Sequence, residues 1–207
     1  MFQEAPATLV LLALSIVISG YAFTVDRDLN NRFDLDIGRI LNQREYYRMI
    51  TSGFVHGDPI HLLFNMVTLY YFGPAVEQIL GTVAFVILYF GCELAANGLT
   101  LLLKHGQRGY SSLGASGAIT GVLLSFCIFN PFARIFVMPF PIGIPAFIYA
   151  IFYIGYSTFQ VRGDARDGIA HEAHLGGAIA GVVLTLLFHP GALQSFLMNF
   201  GVGGGLQ

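Results

Sequence analysis

The chain has 207 residues, of which 55% are hydrophobic and only 11% are charged. Soluble domains carry about 25% charged residues, so this chain has too few of them to cover a water-facing surface. Its formal net charge of −2 offers no basic patch, which argues against a nucleic-acid partner. The composition indicates an integral membrane protein, and the length indicates one domain over residues 1–207.

Six apolar segments are long enough to be helices that cross a bilayer, which takes about 20 residues for a hydrocarbon core of about 30 Å. The predicted spans are 6–23, 59–76, 82–103, 116–132, 142–159 and 169–188. We interpret the first as a true span rather than a signal peptide, because no basic residue precedes it. The prediction is therefore an all-α polytopic bundle of six helices, with a flexible glycine-rich tail at 201–207.

The longest polar segment runs from Thr24 to Asp58 and contains five arginines and six acids. A loop of this length in a small protein is usually structured and has a role of its own. Basic residues concentrate in this loop and in the third and fifth loops, so the positive-inside rule alone would place those loops in the cytoplasm. The balancing acids of the first loop weaken that inference.

A serine opens the fourth segment, in the string Gly114-Ala115-Ser116-Gly117. Gly117 and Gly121 form a small-xxx-small pair that favours close helix packing, but packing alone does not require a serine at the helix start. A serine in the first turn lies beside unpaired N–H groups and the positive end of the helix dipole. Such a place suits a nucleophile whose reaction develops an anion. The string lacks the Gly-x-Ser-x-Gly spacing, so an α/β-hydrolase elbow is not indicated.

The sixth segment places His174 on one helical face with Gly177 and Gly181. If the two glycine pairs bring the fourth and sixth helices together, Ser116 and His174 can come within hydrogen-bond distance. Glu172 is only two residues from the histidine and points to another side of the helix. The pattern therefore favours a Ser-His dyad over a triad.

Two further polar pairs have i, i+4 spacing inside apolar segments, where polar side chains are costly. His61 and Asn65 put two hydrogen-bond donors on one face of the second helix, which suits charge stabilisation, although interhelical packing is the alternative. Glu93 and Asn97 mark the third helix as a polar core or an ion path. For this pair we favour a glutamate hydrogen-bonded to a neighbouring helix.

No metal site or cofactor is predicted. The histidines considered as metal ligands lack carboxylates or thiols at ligand spacing; they are His56, His61, His171 and His174. Both cysteines, Cys92 and Cys127, lie in apolar runs and are interpreted as packing residues.

Taken together, these motifs resemble the rhomboid intramembrane serine proteases. Three strings carry the resemblance, each in the expected segment: His61-x-x-x-Asn65, Gly114-Ala115-Ser116-Gly117 and Ala173-His174-x-Gly176-Gly177. The resemblance covers nearly the whole chain, from the first span to about residue 189.

The resemblance implies a role for each matching residue. Ser116 would be the nucleophile and His174 the general base, which later acts as general acid. His61 and Asn65, with backbone N–H groups near the serine, would hold the oxyanion. Supporting positions are Gly114, Gly117 and His56.

Two further features follow from the resemblance. Gly73 and Glu77 resemble the family's Gly-x-x-x-Glu and are interpreted as structural. The first loop would lie against the membrane outside the helical bundle.

The chain departs from the family pattern at two places. Many members have Trp-Arg in the first loop where this chain has Tyr47-Arg48, and we expect Tyr46 and Tyr47 to serve as interfacial aromatics. Members often have an aromatic residue four positions after the serine that stacks on the catalytic histidine, and here that residue is Thr120. How His174 is held is therefore left open.

The function that the resemblance implies is hydrolysis of peptide bonds in or near the transmembrane helices of other proteins, without a cofactor. Its partners would be those helices and membrane lipid. The implied location is a bacterial-type plasma membrane, with the active site opening to the extracytoplasmic side. The alternatives are a catalytically silent protein that binds membrane helices and a small transporter, which would predict inverted repeats that the sequence does not show. The oligomeric state and the substrate are left open.

Overall fold

A computed structural model describes residues 4–136, 142–162 and 169–201. Most of these residues are helical. The helices are α1 (Pro6–Thr24), α2 (Leu29–Phe33), α3 (Ile37–Gln43), α4 (Arg48–Thr51), α5 (Pro59–Leu80), α6 (Thr82–Lys104), α7 (Ser116–Phe129), α8 (Ala146–Arg162), α9 (His171–Phe188) and α10 (Gly191–Asn199). A 3₁₀ turn at Ser52–Phe54 follows α4. The short strands are β1 (Leu35–Asp36), β2 (Ser111–Ser112), β3 (Arg134–Phe136) and β4 (Gly143–Pro145).

Each predicted span coincides with one helix, namely α1, α5, α6, α7, α8 or α9. By length and hydropathy, three helices in the described part of the chain can cross a membrane: α1, α6 and α9. Helix α7 is apolar but has only 14 residues. At 1.5 Å per residue it is about 21 Å long, shorter than a bilayer core. Of the predicted flexible tail, only residue 201 lies within the described residues.

Several helix ends differ by a few residues from the approximate bounds of the predicted spans. The fourth helix ends at Phe129 rather than 132, because Pro131 disfavours helical backbone at Asn130, whose φ is −131°. The fifth begins at Ala146 rather than 142, because β4 pairs in antiparallel register with β3. The second extends from the predicted 76 to Leu80, and the sixth begins at His171 rather than 169.

The start of α5 is fixed by local capping. The Asp58 carboxylate accepts hydrogen bonds from the backbone N–H groups of Ile60 and His61, both at 2.8 Å. Pro59 occupies the first turn, where its missing N–H costs nothing. His61 is thereby placed in the first turn of α5.

The other end of α5 holds the start of α1. Glu77 is 1% exposed, and its carboxylate accepts from the backbone N–H of Ala7 at 2.9 Å and of Thr8 at 2.8 Å. These groups are among the N–H donors that a helix start leaves unpaired. Gly73 lets the two helices meet, since a Cβ there would lie 2.7 Å from Thr8 Cγ2. The structural interpretation of the Gly-x-x-x-Glu string is confirmed.

Helix α7 lies at the centre, packed against α5, α6, α8 and α9. Its contact with α9 is backbone to backbone: a Cβ on Gly177 would overlap the carbonyl of Gly117, and one on Gly181 would overlap the backbone of Gly121. The prediction that the two glycine pairs bring these helices together is confirmed. Both cysteines are buried and unpaired, in agreement with a packing role.

The segment between α1 and α5 is folded around one buried arginine. The Arg48 side chain is fully buried, and its guanidinium donates to the Asp34 carboxylate at 2.7 Å and the Glu45 carboxylate at 2.6 Å. It also donates to the backbone carbonyls of Asn31 and Asp34. Burial lowers the pKa of Arg48, but the hydrogen bond to Glu45 and the charges of Tyr47, Glu45 and Asp34 together outweigh burial and raise that pKa.

This folded segment reaches the start of α7. Strand β1 pairs antiparallel with β2, with Leu35 opposite Ser112 and Asp36 opposite Ser111. The backbone N–H of Gly114 donates to the carbonyl of Ser52 at 2.9 Å. The chain that leads into Ser116 is therefore held in place by residues that precede α5.

Candidate active site

The structure brings Ser116 and His174 together. Ser116 is the first residue of α7 and His174 lies in the first turn of α9, 58 residues further along the chain. The distance from His174 Nε2 to Ser116 Oγ is 2.9 Å, which is a hydrogen bond. The close approach of α7 and α9 at their glycines makes this short distance possible, so both residues of the predicted dyad are in place.

Gly114 forms the turn just before the serine. Its φ is +113°, a left-handed backbone conformation that favours glycine. A Cβ at this position would lie 2.5 Å from His61 Cε1, so there is also no room for a side chain. Gly114 therefore lets the α7 entry loop pass directly against the His61 ring.

The predicted oxyanion donors lie at the same cavity as the serine. His61 and Asn65 line one cavity together with Ser116 and His174. Asn65 is 6% exposed, and its Nδ2 makes no hydrogen bond within the described residues. A buried amide donor without a partner is costly, unless a ligand or intermediate accepts from it. Asn65 Nδ2 would lie 3.6 Å from a Cβ on Gly114, which places it next to the turn before Ser116.

The cavity has a volume of about 960 Å³. Part of its wall is the polar segment between α6 and α7, including Tyr110, Ser111 and Ser112. Such a polar cavity inside an apolar bundle gives water and a polypeptide backbone a place that lipid tails do not fill.

His56 contacts the ring of His61. Its Nδ1 lies 2.9 Å from Ser19 Oγ of α1, and its ring meets the His61 ring edge-on at 5.1 Å between centroids. Complete burial, with a smaller effect of His61, lowers the pKa of His56 to about 3, so the ring is neutral at physiological pH. The supporting role of His56 stays a prediction; Ser19 was not found from the sequence.

Glu93 and Asn97 belong to a buried hydrogen-bond network. Asn97 Nδ2 donates to Glu93 Oε1 and Ser52 Oγ, both at 3.0 Å, and to the carbonyl of Met49 at 2.9 Å. The network joins α6 to the 3₁₀ turn whose Ser52 carbonyl holds Gly114. The interpretation favoured from the sequence is a glutamate hydrogen-bonded to a neighbouring helix, whereas the hydrogen bond from Asn97 to Glu93 lies within α6 and Asn97 makes the contacts to the turn. Ser52 was missed because a serine in a polar loop carries no spacing signal.

Glu172 is engaged away from the histidine. The hydroxyl of Tyr110 donates to Glu172 Oε1 at 2.6 Å, which ties the segment before α7 to the start of α9. Burial, together with the hydrogen bond and charge of Glu172, raises the pKa of Tyr110, so the hydroxyl keeps its proton. Glu172 therefore serves as an anchor, consistent with the expected dyad.

An aromatic ring does face His174, but it comes from α8. The rings of Tyr153 and His174 are stacked at 6.2 Å between centroids, with an interplanar angle of 29°. Thr120 has a different contact: its hydroxyl shares a 3.0 Å hydrogen bond with the Tyr153 hydroxyl. The sequence did not indicate Tyr153, because periodicity within α8 says nothing about a contact to α9. Among the described residues, no group of three or more His, Cys, Asp or Glu side chains is arranged to hold a metal ion.

Apolar helices around a polar cavity, with a hydrogen-bonded serine and histidine at that cavity, define the class of multi-pass membrane proteins. Comparison with known families makes the class specific. A family model described as Rhomboid domain matches residues 43–191, and the chain belongs to the rhomboid family.

Three relatives illustrate the similarity. The chain is 28% identical to RHOMBOID-like protein 12, mitochondrial, of Arabidopsis thaliana, over 84% of this chain and 56% of the relative. It is 32% identical to Rhomboid protein 1, mitochondrial, of Saccharomyces cerevisiae, over 70% of this chain and 43% of the relative. It is 30% identical to the rhomboid relative YdcA of Bacillus subtilis, over 56% and 59%. The chain thus spans about half the length of these relatives.

Proposed function

We propose that this protein is an intramembrane serine endopeptidase that cleaves peptide bonds in or near the transmembrane helices of other proteins. The observation that carries the proposal is the 2.9 Å contact between Ser116 Oγ and His174 Nε2 inside a polar cavity. Membership of the rhomboid family, whose members are generally intramembrane serine proteases, supports it. The predicted roles of all four site residues are part of the proposal.

In the proposed reaction, His174 Nε2 takes the proton of Ser116 while Oγ attacks the peptide carbonyl carbon. The resulting oxyanion accepts hydrogen bonds from Asn65 Nδ2, from His61 and from the backbone N–H groups at the start of α7. His174 then gives its proton to the leaving amine, and an acyl-enzyme remains on Ser116. Water, activated by His174, attacks the acyl carbon, releases the carboxylic acid and returns the proton to the serine. No metal or cofactor enters these steps.

The substrate segment must be locally unwound, because a helix hides its carbonyls in backbone hydrogen bonds. Helix-weakening and small residues around the cleaved bond are therefore expected. We propose that α5, α7 and α8 also cross the bilayer, giving six spans in one rhomboid domain. Since α7 is about 21 Å long, a helix of this length that ends at one surface starts several Å below the other. Ser116 would then lie below the membrane surface.

The segment between α1 and α5 is proposed to lie at the membrane interface. Tyr46 and Tyr47 are 62% and 49% exposed, as interfacial aromatics would be. The proposed location is a bacterial-type plasma membrane with the cavity open to the extracytoplasmic side. One relative comes from a bacterium, whereas the Arabidopsis and yeast relatives carry mitochondrial names.

The test is cleavage of a transmembrane substrate by the purified protein in lipid, beside Ser116→Ala and His174→Ala. Ser195→Ala and His105→Ala are matched controls, because both residues are exposed and outside the cavity. We expect both site variants to lose activity and both controls to cleave like the wild type. A serine-directed covalent probe should label the wild type and both controls, but neither Ser116→Ala, which lacks the nucleophile, nor His174→Ala, which lacks its base.

The outcomes also separate the alternatives. Equal cleavage by wild type and Ser116→Ala would contradict the protease proposal. Stable binding of a transmembrane peptide without cleavage, in several lipid compositions, would favour the catalytically silent helix-binding protein.

A further inference from the structure

His174 requires a partner that fixes the plane of its ring, because only one orientation directs Nε2 at Ser116. Tyr153 is stacked on this ring. The partner comes from α8, while the serine and histidine belong to α7 and α9. Three helices therefore meet at the histidine.

The Tyr153 ring is itself held on two sides. Its hydroxyl is hydrogen-bonded to Thr120, a residue of α7 that is 5% exposed and lies one helical turn after Ser116. Its ring also stacks on Tyr149, with 5.6 Å between centroids and an interplanar angle of 26°. A tyrosine fixed at its hydroxyl and its ring has few orientations left, so it can impose its own plane on the histidine.

We infer that Tyr153 is the positioning residue of the general base, with Thr120 as its anchor; this rests on the proposed function. In the stacked arrangement the tyrosine ring covers a face of the imidazole and limits its rotation. When His174 takes the serine proton, the ring becomes a cation and gains attraction to the electron-rich tyrosine face. The contact is then stronger during the reaction than before it.

The contact also links the base to the docking of α8. In that helix only Ala146 and Ser157 are fully buried among the described residues, so few side chains anchor it. His174 stays aligned while α8 keeps Tyr153 against α7 and α9.

The experiment measures kcat and KM for a transmembrane substrate, together with the rate of labelling by a serine-directed probe. Tyr153→Leu should lower kcat about five- to tenfold, with KM little changed, because a stack of this kind contributes about that much. Tyr153→Phe keeps the ring and should lose about twofold. Phe152→Leu is the matched control, because the Phe152 side chain is next to Tyr153 on the same helix but is 73% exposed. Its kcat should equal that of the wild type.

A second arm moves the ring to the other helix. In a Tyr153→Leu background, Thr120→Tyr should restore at least half of the lost kcat, because the new ring starts one turn after Ser116 and enters the space left by Tyr153. Thr120→Val should lower kcat as much as Tyr153→Phe does, because either change removes the same hydrogen bond. The double variant should have a kcat no lower than either single variant.

The results separate this inference from the proposed function. If the wild type does not cleave, the proposed function fails. If the wild type cleaves and Tyr153→Leu has an unchanged kcat, or loses activity only through KM, the positioning role is wrong. The inference is also overturned if Tyr153→Leu lowers both kcat and Tm and Thr120→Tyr does not restore kcat. Tyr153 would then be a packing residue.

Discussion

Gly114 shows how one residue shapes the whole site. It has a left-handed backbone, it leaves no room for a Cβ beside His61, and its N–H donates to the carbonyl of Ser52. These three constraints set the path of the chain into Ser116. The backbone N–H groups near the serine, which are proposed to bind the oxyanion, depend on that path.

We predict that Gly114→Ala lowers kcat about 100-fold, the loss expected when an oxyanion donor is displaced. The added Cβ would be strained at this φ and would push the His61 ring away. Gly109→Ala in the same connecting segment is the control, because nothing lies within 4 Å of a Cβ there. Steady-state cleavage of a transmembrane substrate measures both. Equal kcat values for the two variants would show that the turn does not position the donors.

At the scale of elements, the segment between α1 and α5 holds the part of the chain that leads into the site. Its buried Arg48 gathers carboxylates and carbonyls from three places along the segment, and β1 then fixes the strand that leads to Ser116. A buried guanidinium of this kind cannot be replaced by another cation, because its donors have a fixed planar geometry.

Arg48→Lys is therefore expected to destabilise the protein by about 3 kcal/mol, since it leaves buried acceptors without donors. In a thermal unfolding experiment in detergent, this corresponds to a fall in Tm of about 5–10 °C. Arg39→Lys is the matched control: Arg39 is 42% exposed in its pair with Asp36, so its Tm should change by about 1–2 °C. Similar shifts for both variants would contradict a central role for Arg48.

His56 gives the same region a pH dependence. Its pKa is about 3 in the folded protein and 6.5 in an unfolded chain, so between these values the unfolded chain binds a proton that the folded protein does not. The stability is therefore complete above pH 6.5 and falls as the pH decreases toward 3. Between pH 7.5 and 5, the Tm of the wild type should fall more than that of His56→Gln, which cannot titrate. His105→Gln, at an exposed position, should keep the wild-type slope; parallel curves for all three would exclude His56 as the cause.

At the scale of the whole molecule, the glycine contacts between α7 and α9 determine whether serine and histidine can meet. A side chain at Gly177 would force α9 away from α7, and His174 would move with it. The 2.9 Å hydrogen bond would then be lost.

We predict that Gly177→Ala lowers cleavage about 100-fold or more, because misplacing a catalytic group by about 1 Å costs that much. It should also lower Tm. Gly98→Ala is the control, since a Cβ on that α6 glycine meets nothing within 4 Å and alanine is the better helix former. Its Tm should be unchanged or slightly higher. Full activity of Gly177→Ala would mean that the helices can separate without moving the dyad.

The sequence predicts the parts of this molecule that repeat along one helix. The helix positions and the glycine faces follow from spacing within single segments, and the Ser116–His174 pair follows from the two glycine faces together with the family resemblance. Tyr153 and Ser52 could not be predicted in this way. Each contacts a residue of another element, and neither belongs to a periodic pattern within its own element. The two-residue strands β1 and β2 are too short to show alternation, and their pairing joins residues 35 and 112.

The division of the dyad between α7 and α9 has a consequence for biosynthesis. Chains are made and inserted from the N-terminus, so the serine enters the membrane well before the histidine. A chain that has delivered α7 but not α9 holds a hydroxyl with no base beside it. The proposed protease is therefore inert while it is still being made, and a product of interrupted translation that lacks the last spanning helix cannot damage the membrane proteins inserted beside it.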